Sequence, residues 1–222
     1  MRWLALTIFV VAAGVVVRSV WADHEDSPSI TEPQSDITDF YAWMTPDAAK
    51  LDMAMSVRES TKVDPRWSAT SEYVFHVSSM AAIGGAETET IILCTVAPNK
   101  RVQCWTEGEY LIGGVSGPEG VVSQDGKLRV WIGARDDAAF VNRAGIGSTL
   151  SALDDARTSA TLDQGCPTLD ADTSNALLDG LKSGANAHAG GEVLTMVVEV
   201  DKALVNKGGP ILSAWASTNV HP

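Results

Sequence analysis

An antiparallel β-sandwich, or a flattened barrel, with a short helical insertion is the fold class predicted by this 222-residue sequence. Three observations carry the prediction. Short segments with apolar residues at alternate positions recur through the chain, the period of half-buried strands. Gly, Pro, Asn and Asp separate them at short spacing, as antiparallel hairpins require. Between Ala144 and Gly184 the character changes to an Ala-, Ser-, Asp- and Leu-rich stretch with helical signals.

Residues 1–22 read as a signal peptide: Arg2 supplies positive charge, Trp3 to Val17 is almost wholly apolar, and Ser19-Val20-Trp21-Ala22 suits signal peptidase. The run is short for a bilayer span. The expectation is one mature domain, residues 23–222, exported to the periplasm or outside the cell, with no transmembrane segment. The first strand is expected at Asp39–Met44, stopped by Thr45-Pro46-Asp47. Lys50–Arg58 alternates polar and apolar residues with Ala54 as the exception, and Glu72–Val77 does much the same. Thr90–Leu93 and Val102–Trp105 form a hairpin about Pro98-Asn99-Lys100, followed by strands at Glu109–Ile112, Leu128–Ile132, Glu192–Val200 and Ile211–Ser217.

In the insertion, Ser148–Arg157 and Ser174–Lys182 are the helix candidates. The second has Leu177, Leu178 and Leu181 as its apolar stripe, Asp172 or Thr173 as its cap and Gly184 as its stop. Gly145-Ile146-Gly147-Ser148 reads as a flexible link into it. Asp170-Ala171-Asp172-Thr173-Ser174 opens like a calcium loop. However, Asn175 occupies the sharp-turn glycine position and Leu181 the bidentate glutamate position, so helix capping explains it better.

Cys94 and Cys104 flank the hairpin turn, where their sulfurs can face each other across two strands, leaving Cys166 over. A disulfide agrees with an oxidising compartment. The formal net charge is −12; without Arg2 and Arg18, 14 of the 16 Lys and Arg remain against 28 Asp and Glu. Such a surface repels phosphate backbones, which argues against nucleic acid as a partner. No phosphate loop, His-Glu-x-x-His or Gly-x-Ser-x-Gly elbow occurs, and no catalytic residue is assigned.

Four carboxylates stand out. Asp36 and Asp39 bracket the start of the first strand, and Asp136 and Asp137 follow Gly133-Ala134-Arg135 at the end of the 128–132 strand, which Gly133 is expected to close. If those strand ends are neighbours, the acids form a hard-oxygen cluster suited to Ca²⁺ or Mg²⁺. Arg135 offers the competing arrangement, a structural Arg–Asp network locking the strand ends. His24, near the mature N-terminus, is a second candidate metal ligand, for a late transition metal, set against a plain acidic tail. His76 reads as a strand residue with a local partner. Trp43, Trp105, Trp131 and Trp215 all fall on expected strands, where they either cover the core or form a face that stacks on flat ligands.

Asp36-Ile37-Thr38-Asp39-Phe40-Tyr41-Ala42-Trp43 and Gly133-Ala134-Arg135-Asp136-Asp137 together resemble two motifs of a bacterial family of exported proteins, domain of unknown function 4331. That family usually continues Pro-Phe-Phe where this chain has Ala138-Ala139-Phe140. Its mature start, with a His and a Pro, is similar to Asp23-His24-Glu25-Asp26-Ser27-Pro28. The resemblance implies export, a β-rich fold and an acidic motif at each end, and brings no established chemistry. The resulting expectation is a non-catalytic exported binding or structural module with an unidentified ligand or protein partner, stabilised by a divalent cation if the acids gather. The alternative is a metal-dependent enzyme using Asp36, Asp39, Asp136 and Asp137.

Overall fold

The computed structural model describes residues 30, 32–58, 66–182 and 184–220. The signal-peptide reading, His24 and His221 lie outside them. A short 3-10 helix (Pro33–Ser35) leads into β1 (Ile37–Met44), β2 (Lys50–Arg58), β3 (Ser71–Met80), β4 (Glu87–Val96), β5 (Arg101–Thr106), β6 (Glu109–Gly114), β7 (Val121–Val122) and β8 (Leu128–Asp136). The insertion carries α1 (Arg143–Ser159), a two-residue hairpin of β9 (Leu162–Asp163) with β10 (Cys166–Pro167), and α2 (Ala171–Lys182). The chain closes with β11 (Glu192–Asp201), a helical turn α3 (Lys202–Val205) and β12 (Ile211–Val220).

Two antiparallel five-stranded sheets pack face to face, in the orders β1-β2-β11-β8-β7 and β12-β3-β4-β5-β6. Alternation decides which side chains meet between them. Met53, Met55 and Val57 of β2, Leu194, Met196 and Val198 of β11, and Leu128 and Val130 of β8 point inward from the first sheet. Tyr73, Phe75 and Val77 of β3, Ile92 of β4, Val102 of β5 and Leu111 of β6 meet them from the second. Tyr73 is wholly buried, yet its hydroxyl is satisfied: it donates to the Gln34 carbonyl at 3.0 Å and accepts from the Ser68 amide at 3.2 Å. That single phenol ties the short 3-10 helix and the segment before β3 to the sandwich. Burial pushes its pKa far above the usual phenol range.

Cys94 and Cys104 stand opposite each other on β4 and β5 and are joined as a disulfide inside the core, while Cys166 is free and exposed. The predicted strands are all present, and three details differ. First, β8 does not end at Gly133 but runs on to Asp136, because β11 supplies partners as far as the Glu192–Asp136 pair. Second, Asp170 caps α2, accepting from the Thr173 amide at 2.7 Å, so the cap stands two residues before the expected Asp172. Third, Gly145 and Gly147 lie within the first turns of α1 and are no flexible link.

The cause of the third is Asn142. Its Oδ1 caps α1 by accepting from the Gly145 amide at 2.8 Å. Its Nδ2 donates to the Gly180 and Leu181 carbonyls near the end of α2, at 3.0 and 2.8 Å. One buried amide thus clamps the start of one helix to the end of the other, and a side chain at Gly145 or Gly184 would collide with it. Since β8 and β11 are antiparallel neighbours, the whole insertion is the expanded loop of a single hairpin.

Candidate binding trough on the outer face of the first sheet

The order of the first sheet decides the fate of the acidic motifs. β2 and β11 stand between β1 and β8, so the two strands are not neighbours, contrary to the expectation. Register carries Asp36 to Arg58 instead: Ile37 pairs with Val57, the Arg58 amide donates to the Asp36 carbonyl at 3.0 Å, and Arg58 Nε lies 3.5 Å from Asp36 Oδ2. Asp39 accepts from the Tyr41 hydroxyl at 3.2 Å. Desolvation first, then the Asp39 charge and hydrogen bond, then the Asp137 charge hold the Tyr41 phenol above its ordinary pKa. Asp39 and Asp137 therefore share an electrostatic neighbourhood.

Asp137 also faces His188, with Nδ1 3.7 Å from Oδ2, and caps the turn after it by accepting from the Ala139 amide at 2.9 Å. Asp136 is exposed at the end of β8. Among the described residues, no three His, Cys, Asp or Glu side chains gather closely enough to hold a metal ion. Arg135, expected to lock the strand ends, turns back along its own strand.

It does so because of Trp131. Residues 131, 133 and 135 alternate onto the outer face of β8, and the Trp131 indole lies over Gly133, where any Cβ would collide with the ring. The Arg135 guanidinium then stacks on that indole, 3.8 Å from the ring centroid, and its Nη1 donates to the Ala134 carbonyl at 2.9 Å. The Trp-x-Gly-x-Arg spacing is legible in the sequence as three residues on one strand face.

Opposite Trp131, across β11 and β2, stand Tyr41 and Trp43 of β1; Trp43 is 47% exposed, which leaves its ring open to contact. The strands between carry small or short side chains outward: Ala54 and Ser56 on β2, Val197 and Thr195 on β11, with the Ser56 and Thr195 hydroxyls 3.0 Å apart. Tall aromatic edges over a low floor make an open trough of about 320 Å³, with Pro118 and Glu119 as a lip beside β8. That volume lies at the small end of ligand clefts.

Charge is organised along one row of the trough, where register places Trp43, Asp52, Glu199 and Arg129 on consecutive strands. Glu199 accepts from Lys50 at 2.6 Å and faces Arg129 Nε at 3.5 Å, and Arg129 also donates to Glu119 at 3.3 Å. Burial, then the neighbouring Glu199 charge, raise the pKa of Asp52, while the Trp43 indole N–H bonded to it pulls the other way. A raised folded-state pKa means the folded protein holds this proton more tightly than the unfolded chain does. The contribution of Asp52 to stability is therefore full at acid pH, below its unfolded value, and is lost as pH rises through the raised value. Asp52→Asn keeps an acceptor for Trp43 and removes that loss. The variant's melting temperature relative to the parent is expected to rise between about pH 3 and pH 7. A constant or shrinking difference in paired melting curves would show that Asp52 is not penalised.

The other two expected strand tryptophans mark the outer face of the second sheet. Trp215 stacks on His76, with centroids 3.5 Å apart, and His76 also meets Glu89 and Ser217, each at 3.0 Å. Trp105 packs at 5.9 Å from Tyr110. All four tryptophans expected on strands are there, two on each outer face and none in the core. The fold and site together define an antiparallel β-sandwich with an aromatic-edged, charge-paired trough on one face. Compared with known families, curated proteins and solved structures, the chain matches no family model, no curated protein and no solved structure.

Proposed function

We propose that this chain is an exported binding module which holds a ring-bearing ligand in the trough between Trp43 and Trp131 and does not transform it. The observation that carries the reading is the placement of those two side chains, from strands nearly ninety residues apart in sequence, on either side of a floor of small residues. An exposed indole such as Trp43 stacks on flat or ring-shaped surfaces, and the polar groups beside it fix orientation. Export is supported by the apolar N-terminal run of the sequence and by a disulfide that a reducing cytosol would not maintain. Membership of the domain of unknown function 4331 family rests on the two acidic motifs. Among the described residues no helix is long and apolar enough to cross a membrane.

The test is a protein-observed NMR screen with small ring compounds on the full chain. Shifts should concentrate on backbone amides of 129–135 and 195–199 and vanish in Trp43→Ala. Hits that cluster instead about Trp105 and Trp215, or survive Trp43→Ala unchanged, would move the function off this face.

A further inference from the structure

We infer that the trough's ligand is an acidic oligosaccharide, with one sugar ring stacked on Trp43 and a carboxylate received by Arg135. This deepens the binding reading above and rests on it. Among the cations at the trough, Arg135 alone has no carboxylate beside it. Lys50 and Arg129 engage Glu199, Arg129 engages Glu119, and the Asp52 carboxyl is taken up by the Trp43 indole N–H. Arg135 has no carboxylate partner among the described residues, in a protein with 28 acidic residues and 16 basic ones.

Its guanidinium is held in place without being neutralised. Stacking on Trp131 fixes its plane, and the bond to Ala134 uses one nitrogen, leaving further N–H donors in the planar fork that matches a carboxylate. Holding the fork in advance reduces the ordering cost of binding.

Distance selects an oligomer over a single ring. β1 and β8 are three strand spacings apart, roughly 14 Å at the usual interstrand distance, and the guanidinium lies over Trp131. Backbone to backbone, that span exceeds one sugar ring, and a short chain of rings covers it. Between the two ends, the Asp52 and Glu199 carboxylates offer acceptors to sugar hydroxyls.

The experiment is calorimetric titration of the full chain with the trisaccharide of galacturonic acid and with the galactose trisaccharide that lacks its carboxylates. The parent is expected to bind the acidic probe at least tenfold more tightly, the scale of one charge-assisted hydrogen-bonded contact. Arg135→Ala should remove that preference and Arg135→Lys should keep part of it, since a lysine supplies charge without the fork. Equal affinity for both probes in the parent, or an undiminished preference in Arg135→Ala, overturns the carboxylate assignment. No binding of either probe overturns the ligand class, while ring compounds that still map to the trough by NMR leave the binding module standing. Arg135 is exposed and outside the core, so its variants fold; circular dichroism confirms this before titration.

Discussion

Arg58→Ala should lower stability by about 3 kcal/mol, or roughly 6–12 °C in melting temperature for a domain of this size. The side chain of Asp36 is 8% exposed and that of Arg58 31%. Removing the guanidinium takes the cation away from a carboxylate that water reaches poorly, and the partly exposed arginine places the cost at the low end for a broken buried pair. Arg135→Ala, by contrast, loses an exposed cation–π contact worth about 0.5–1 kcal/mol. The two variants, compared by urea denaturation, separate two arrangements of the same motif. If Arg135→Ala proves the more damaging, the acids at the start of β1 are held by Arg135 after all, and the pairing with Arg58 is incidental.

Loss of the disulfide should be comparably severe. Ten positions separate Cys94 and Cys104, and the chain-entropy relation gives about 3 kcal/mol for closing such a loop. Both sulfurs are fully buried, so the Cys94→Ala, Cys104→Ala protein also leaves unfilled space in the core. It should fold and melt roughly 6–12 °C below the parent. Non-reduced digestion and mass spectrometry should show the Cys94–Cys104 peptide pair, with Cys166 alkylated. A linkage through Cys166, or an unchanged melting temperature in the double variant, would contradict the bridge in the core.

What contiguous residues encode was legible in the sequence. The alternation over 50–58 becomes β2 with the same bounds, the Leu177–Leu181 stripe becomes α2, and the turn at Pro98-Asn99 brings Cys94 to Cys104. These features depend on the period of side chains along one segment and on the geometry of one turn, and both are local. The outward placement of Trp43 and Trp131 was likewise one of two orientations that alternation allows.

Strand order lay beyond that reach. It depends on which apolar faces, separated by as much as 150 residues, bury one another best, and β11 comes from far along the chain to stand between β2 and β8. That pairing carries β8 past Gly133, parts Asp36 from Arg135 and gives Asp36 to Arg58. It also makes the trough, because Trp43, Asp52, Glu199 and Arg129 form a row only once four strands lie in register. The sequence by itself determined the nine longer strands, the place of the two insertion helices and the bridge; the tertiary structure alone decided which side chains share a face, since a row across a sheet is built from hydrogen-bond register between segments that no local pattern connects.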